Sequence, residues 1–540
     1  VNDFLPESIR DKNQFPSLYE ALIEVHRPSS IENAEKAKAR LTFDEAFLLQ
    51  TTMLKRKAEL SKVNAVARRA KSDGALAQFD KQLPFKLTPG QVNVSNEIFK
   101  DLYAKHPMHR LLQGEVGSGK TIVALRAALN VIDSNAQVAL LAPTEVLAQQ
   151  HYRTIKNQLG DIASKGRLGA PDCSIEVALL TGSMSAQEKR EVQARAKSGE
   201  IDLLIGTHAL LSDAVGFKDL GLVIVDEQHR FGVEQRDALR AKADTPPHLL
   251  VMTATPIPRT VAITVFGDLD ISTLNELPLG RTPITTHLIN AVTKPNFVDR
   301  AWQRIREEVA EGKQAYVVAP RISASTPEDV DMDFLFGEEN KQMAAVSELA
   351  PELATGPLKG LKLAELHGKL SADLKEETME AFSSGSIDVL VATSVIEVGV
   401  DVPNATIMVI MDADRFGISQ LHQLRGRIGR GESPGLCLLI TNAPEVSLAY
   451  ERLNAVANTL DGFELARVDL EQRREGDVLG VSQSGSRSHL KLLRVLRDEA
   501  IINLAREAAI FTLEEGLTSV LEDEINRLLT EQEVKYLDKG

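Results

Sequence analysis

Two cysteines among 540 residues, Cys173 and Cys437, give neither a disulfide framework nor a paired spacing for zinc ligands. Such usage suits a reducing compartment. Aromatic side chains are sparse as well, at 4% with one tryptophan, so aliphatic residues must build the cores. No apolar run approaches the ~20 residues needed to span a bilayer, and Val1-Asn2-Asp3 opens no export signal with a basic start and an apolar middle. A cytoplasmic protein with no membrane partner is expected, and the lack of an initial Met leaves room for a fragment of a longer chain. Net positive charge is missing too: 62 Lys and Arg stand against 76 Asp and Glu, a formal charge of −14. Coating nucleic acid indiscriminately requires basic residues that displace counterions, so any nucleic-acid track here must be locally basic.

The length excludes a single core; at roughly 100 to 200 residues per domain it predicts three or four. Residues 1–84 read as a helical connector. Its basic stretch, from Lys55-Arg56-Lys57 through Arg68-Arg69-Ala70-Lys71, reads as a solvated helix face, with a nucleic-acid contact as the alternative. From about residue 85 short aliphatic runs alternate with helical stretches, the pattern of a parallel sheet covered on both faces. The runs are 138–141, 203–205, 222–225 and 249–252, each followed by polar or glycine-containing residues. Ligands of open α/β sheets bind at the carboxyl ends of strands, so these followers collect on one active edge. The pattern restarts after Pro283 with 316–319, 389–392, 407–411 and 436–440, and 274–283 has the prolines and turn residues of a short connection. The expected fold is α/β, with two tandem P-loop-type lobes, 85–278 and 279–443, each a parallel sheet with helices on both faces. Residues 323–339 read as an acidic surface insertion, and 444–540 as a helical hairpin, a loop and further helices.

Gly114-Glu115-Val116-Gly117-Ser118-Gly119-Lys120-Thr121 fits G-x-x-x-x-G-K-S/T between an apolar strand and a helical run. Glycines let backbone N–H groups, including that of Ser118, turn toward phosphates; Lys120 can reach the β and γ oxygens, and the Thr121 hydroxyl can ligate Mg²⁺. Asp226-Glu227, closing a buried-strand signal, supplies one carboxylate for the metal and one to orient or deprotonate water. An acidic pair after a strand is by itself commonly a helix start; beside a phosphate loop it points to nucleoside-triphosphate hydrolysis. Upstream, the Phe85 ring can stack on a base and the Gln91 amide can pair with an adenine edge, although Thr88 before Pro89 is also an ordinary helix cap.

Gln423, Arg427 and Arg430 are spaced i, i+4, i+7, which predicts one helical face, thinned by Gly426 and Gly429 so that another backbone can approach. Two guanidiniums there suit a charge clamp on a γ-phosphate contributed across a cleft; in isolation they read as a solvated basic helix. Thr393 and Asp401 follow a buried-strand signal and can touch backbone phosphates and the nucleotide's ribose or γ-phosphate. Thr253 and Thr255 are candidate couplers between hydrolysis and strand movement. Thr144, Gly206 and Thr207 follow strands on the same edge and join the candidates for DNA coupling. A plain turn is the competing reading for each.

In order and spacing these elements resemble superfamily 2 helicases, and more closely the RecG family of branched-DNA helicases. The resemblance rests on Gly206-Thr207-His208-Ala209-Leu210, Asp226-Glu227-Gln228-His229-Arg230-Phe231-Gly232-Val233-Glu234-Gln235-Arg236 and Met252-Thr253-Ala254-Thr255-Pro256-Ile257-Pro258-Arg259-Thr260. It spans nearly the whole chain and implies tandem RecA-like domains and a double-stranded-DNA translocase using Mg²⁺ and ATP. It further implies remodelling of stalled forks and Holliday junctions in recombination and repair, in the nucleoid, by a monomer that contacts a single-stranded-DNA-binding protein. The tail is similar to the family's translocation motif, with Arg452 and Gln483 where the family keeps a linked Arg and Gln. Arg473-Arg474-Glu475-Gly476-Asp477 departs from the common Arg-Gly-Pro-Gly-Glu, and residues 1–84 resemble only the connector that follows the family's N-terminal wedge domain. A transcription-repair coupling translocase shares the tail, but Gln228 favours RecG over it. An RNA helicase fits the two lobes alone, and a non-hydrolysing scaffold is opposed by the intact Lys120, Asp226, Glu227, Arg427 and Arg430.

Overall fold

A computed structural model describes residues 2–212, 214–226, 245–253, 269–276, 284–320, 345–393, 402–429, 431, 433–472, 492–494 and 497–527. The chain forms two compact units, one made of Val1–Asn64, Ile257–Ile271 and Leu470–Gly540, the other of Ala65–Pro256 and Ser272–Asp469. The first and last helical segments, expected as separate regions, thus share a unit. Its centre is the long helix Ile31–Lys62, whose Phe43, Phe47 and Leu48 pack on Ile502, Ala505 and Ala509 of the helix Glu499–Glu515. Arg40 is wholly buried there and is held by Asp3, Asp44 and the Pro16 carbonyl, because a buried guanidinium must have its donors taken up.

The second unit holds both sheets. The first has seven strands: β1 His109–Gly114, β2 Gln137–Leu141, β3 Val177–Leu180, β4 Leu203–Gly206, β5 Leu220–Asp226, β6 His248–Thr253 and β7 Asp270–Leu274, in the order β3-β4-β2-β5-β6-β1-β7. The pairings from β3 through β1 are parallel. The second has six: β8 Ile284–Asn290, β9 Gln314–Val318, β10 Leu363–Leu366, β11 Val389–Ala392, β12 Ala405–Ile410 and β13 Gly435–Thr441, in the order β10-β11-β9-β12-β13-β8, all parallel. Central strands such as β2 and β12 are buried along their whole length, which is why they are continuous aliphatic runs. The edge strand β8 reads Ile-Thr-Thr-His-Leu-Ile-Asn, with 285 and 287 exposed, and so gave no such run.

The basic stretch of the connector departs from expectation. The helix ends at Lys62, and Arg68 is buried in the second unit, where it forms a bidentate pair with Asp219 at 2.6 and 2.8 Å. Residues 65–71 are instead pinned to the first sheet: Asn130 reaches Ala70 and the Arg68 carbonyl, and Lys71 bonds Asn135. A burial site for one arginine, not a solvated face, explains this part of the charge run.

The same seam contains His248, at the start of β6. Its Nδ1 accepts the Met108 N–H at 3.0 Å, which leaves Nε2 as the donor to the Val66 carbonyl at 3.1 Å. Burial favours this neutral ring and pushes the His248 pKa down from 6.5 to about 4. An unfolded chain binds the proton near pH 6.5 and the folded one only near 4, so unfolding takes up a proton between these values. The contribution is therefore complete above pH 6.5 and is lost as pH falls toward 4, in total about 3 kcal/mol. Urea unfolding at pH 7.5 and 4.5 should show this loss, and His248→Asn, which does not titrate, should be less pH-sensitive over that window.

Candidate active site

Strand β1 is buried throughout and delivers the chain into a turn that only glycines permit. Gly117 and Gly119 have φ of +86° and +87°, and a Cβ at Gly119 would lie 2.2 Å from Gln91 Nε2. At Gly114 a Cβ would come within 2.9 Å of the Leu274 carbonyl oxygen. The turn opens the helix α6, Lys120–Ile132, so its first N–H groups and positive dipole end face the loop. Lys120 Nζ donates to the carbonyls of Gly114 and Glu115, both at 2.8 Å. Ser118 is fully buried and its hydroxyl has no partner among the described residues.

The upstream glutamine follows the helix-cap reading, with both ends of its buried amide turned to the protein and not to an adenine edge. Thr88 caps the helix α5, Pro89–Leu102, and Gln91 completes a reciprocal capping box, its Oε1 accepting the Thr88 N–H at 3.0 Å. Its Nε2 donates to the Ser118 carbonyl at 2.9 Å, so the amide braces the phosphate turn from within the protein. Phe85 is 51% exposed and lines an open cavity of about 600 Å³ with Leu83, Pro84, Leu87, Val92 and Asp80.

The carboxylate Asp226 ends β5 level with Met252 of β6, which is level with Leu112 of β1, so it stands on the same sheet edge as the loop. Thr253 closes β6, buried and level with Gln113. Thr144 caps the helix α7, Glu145–Leu159, by accepting the Leu147 N–H. Gly206 ends β4 where a Cβ would meet the Leu180 carbonyl at 2.3 Å, and buried Thr207 follows it. The hard oxygens of Thr121 and Asp226 suit Mg²⁺, which takes one or two protein ligands alongside phosphate oxygens and water. The orphaned Ser118 hydroxyl and the glycine-lined turn likewise fit a phosphate chain.

In the second lobe the expected helical face is not formed. The helix Ile418–Arg425 stops at Gly426, and Gly429 has a φ of +66°, so Gln423 lies on the helix and Arg427 beyond its end. Gly426 gives the reason for a glycine there: its Cβ would lie 3.2 Å from Val116 of the phosphate turn. The close neighbour at Gly426 is thus the Val116 side chain, where the expectation was another backbone. Thr393 is buried after β11 and donates its N–H to the Leu366 carbonyl. Arg452, on the helix Leu448–Asn458, reaches the Asp414 carbonyl at 3.4 Å. Glu227, Thr255, Asp401, Arg430 and Gln483 lie outside the described residues.

Comparison with known proteins agrees with this geometry. The DEAD/DEAH box helicase family matches residues 88–263, the helicase conserved C-terminal domain residues 303–432, and domain 3 of the ATP-dependent DNA helicase RecG, C-terminal part, residues 459–538. The ATP-dependent DNA helicase RecG of Mycobacterium tuberculosis is 53% identical over 543 residues, covering 100% of this chain and 73% of that protein. The chain belongs to the RecG family. The Bacillus subtilis RecG is 43% identical over 94% of this chain and 70% of its own length. A solved structure of RecG bound to a three-way DNA junction superposes with a TM-score of 0.71 at 35% identity, over 94% of this chain and 62% of that one.

Against the RecG motifs, four side chains of this site escaped the reading of the sequence. His151, on α7, sets its Nε2 2.8 Å from Asp226 Oδ2. Glu115, inside the phosphate turn, is bound by His422 Nε2 at 2.7 Å and by the Gly462 N–H at 2.6 Å, and Arg425 backs His422. Burial raises the Glu115 carboxyl's pKa, but His422, Gly462 and Lys120 outweigh it and hold the group below the usual glutamate value. Glu115 and His422 are 307 residues apart, so no local pattern pairs them. Replacing His151 by Ala removes one hydrogen bond from Asp226; kcat/KM for Mg-ATP should fall about tenfold, the weight of one lost hydrogen bond, in a steady-state hydrolysis assay across Mg²⁺ concentrations.

Proposed function

We propose that this chain is the motor of an ATP-driven double-stranded-DNA translocase that remodels branched DNA, including stalled forks and Holliday junctions, in recombination and repair. The observation that carries the reading is the glycine-built phosphate turn, which shares a sheet edge with Asp226 and has Gly426 of the second lobe seated on Val116. Hydrolysis proceeds by in-line attack of water on the γ-phosphorus, breaking its bond to the β–γ bridging oxygen, with the water's proton passing to Glu227. The N–H groups of Gly114, Gly117, Ser118 and Gly119 and the Lys120 ammonium hold the phosphates, and Lys120 exchanges its carbonyl partners for phosphate oxygens. Thr121 and Asp226 would hold Mg²⁺, which would supply positive charge against the phosphates. Gln423, Arg427 and Arg430 close on the γ-phosphate, Asp401 on the nucleotide, and Phe85 serves the base side, while Gln91 braces the phosphate turn from within.

Thr144, Gly206, Thr207, Thr253 and Thr393 close or follow strands, the position from which a sheet touches a DNA backbone, and Thr255, Arg452 and Gln483 are assigned to the same coupling. The chain acts as a monomer in the cytoplasm at the nucleoid, with a single-stranded-DNA-binding protein as an additional contact. No described helix is long and apolar enough to cross a membrane.

The test is ATP hydrolysis with no DNA, linear duplex, forked DNA and structured RNA, at low and then higher salt. Strong stimulation by duplex is expected, weakening with salt as phosphate contacts are screened; stimulation by RNA alone overturns the reading. Glu227→Gln should retain ATP binding and lose turnover by at least about a hundredfold, measured by nucleotide binding beside single-turnover hydrolysis. Gln483→Ala should hydrolyse ATP with duplex yet fail to displace the third strand of a DNA triplex.

A further inference from the structure

Glu115 sits in the phosphate turn at a position that the motif leaves open, yet its carboxylate accepts two hydrogen bonds. Its carbonyl oxygen takes the Lys120 ammonium at 2.8 Å. Its carboxylate takes two donors from the second lobe and tail: His422 Nε2 at 2.7 Å and, at 2.6 Å, the N–H of Gly462, the first residue of the helix Gly462–Gln472. His422 Nδ1 in turn meets Arg425 at 2.8 Å, and Arg425, buried, donates to the carbonyls of Val456 and Thr459 at 2.7 and 2.8 Å. Those two carbonyls end the preceding helix, Leu448–Asn458. One residue therefore holds the phosphate-binding lysine through its carbonyl and, through its carboxylate, the start of one tail helix and, by way of a histidine and an arginine, the end of the other.

We infer that Glu115 is a positioning residue that passes the state of the phosphate turn to the two tail helices. The inference rests on the translocase reading and extends it by a specific route. Lys120 and the Glu115 carboxylate are borne by the same short turn, so drawing the ammonium from the Glu115 carbonyl to a γ-phosphate changes what holds that turn in place. The carboxylate is the part of the turn that grips the tail. Both its donors are charge-assisted and largely shielded from water, where such bonds are strongest. The cap of the second tail helix does not depend on the contact, since Asp461 accepts the N–H groups of Phe463 and Glu464 at 2.8 and 3.3 Å.

That independence permits a test confined to one donor. Gly462→Pro deletes the N–H that Glu115 accepts, at the first helical position, where proline is tolerated because its missing N–H has no helical partner. Gly462→Ala keeps the N–H and is the control; His422→Asn cuts the second donor and serves if the proline variant melts early. Each chain is assayed for ATP hydrolysis without DNA, hydrolysis with duplex, and triplex-strand displacement per ATP consumed. DNA-free hydrolysis and KM for ATP should match the unsubstituted chain in Gly462→Pro, while displacement per ATP falls about tenfold, the weight of one charge-assisted hydrogen bond, and Gly462→Ala retains full displacement. Unchanged displacement per ATP in both Gly462→Pro and His422→Asn overturns the inference, as does an equal fall in Gly462→Ala. Failure of the unsubstituted chain to hydrolyse ATP or displace a strand with duplex would instead overturn the translocase reading.

Discussion

The backbone of the turn between β1 and α6 has to run with its N–H groups outward and no Cβ in the way, and the rest of the site is arranged around that requirement. Gly117 and Gly119 sit in left-handed conformations that cost other residues free energy. A turn so free of side chains is pliable by itself. Gln91 stiffens it by clamping the Ser118 carbonyl, at no loss of the helix cap that the same residue completes at Thr88. Val116, kept close to Gly426, lets the second lobe touch the turn where a larger residue would hold it away.

Charge is managed around this turn with few groups. The chain as a whole is acidic, yet the phosphate site offers Lys120 and a helix N-terminus on the same turn. Two of its carboxylates among the described residues are held by a histidine: Asp226 by His151 and Glu115 by His422. A hydrogen bond of this kind fixes the rotamer of a carboxylate that must meet a metal or a partner at a defined distance, and it limits the repulsion an anionic substrate would meet.

The two compact units divide tasks that the linear order of the chain does not separate. Residues 65–84 belong with the first sheet because Arg68, Asn130, Asp133 and His248 fasten them there, whereas the long helix before them packs with the helix Glu499–Glu515 through Phe43 and Phe47. The second part of this split connector is fastened both by polar contacts, a bidentate ion pair and a neutral histidine, and by Ala75, Leu76 and Phe79 in the apolar core of the first lobe.

Much of this architecture was legible in one sequence. Buried parallel strands have to be continuous aliphatic runs, so β2, β4, β5, β6, β9, β11, β12 and β13 announced themselves, and their polar followers marked the active edge before any coordinates existed. The phosphate turn was legible because its chemistry is local: glycines, lysine and threonine within eight residues. Short edge strands such as β3 and β10, the end of the helix at Arg425, and the burial of Arg68 were not, since each depends on a neighbour far along the chain. The same holds for the partners of Glu115 and Asp226. A single sequence determines which backbone conformations are affordable and which segments must be buried; only the tertiary structure decides which distant donors and acceptors face one another, because that pairing is set by packing and not by spacing.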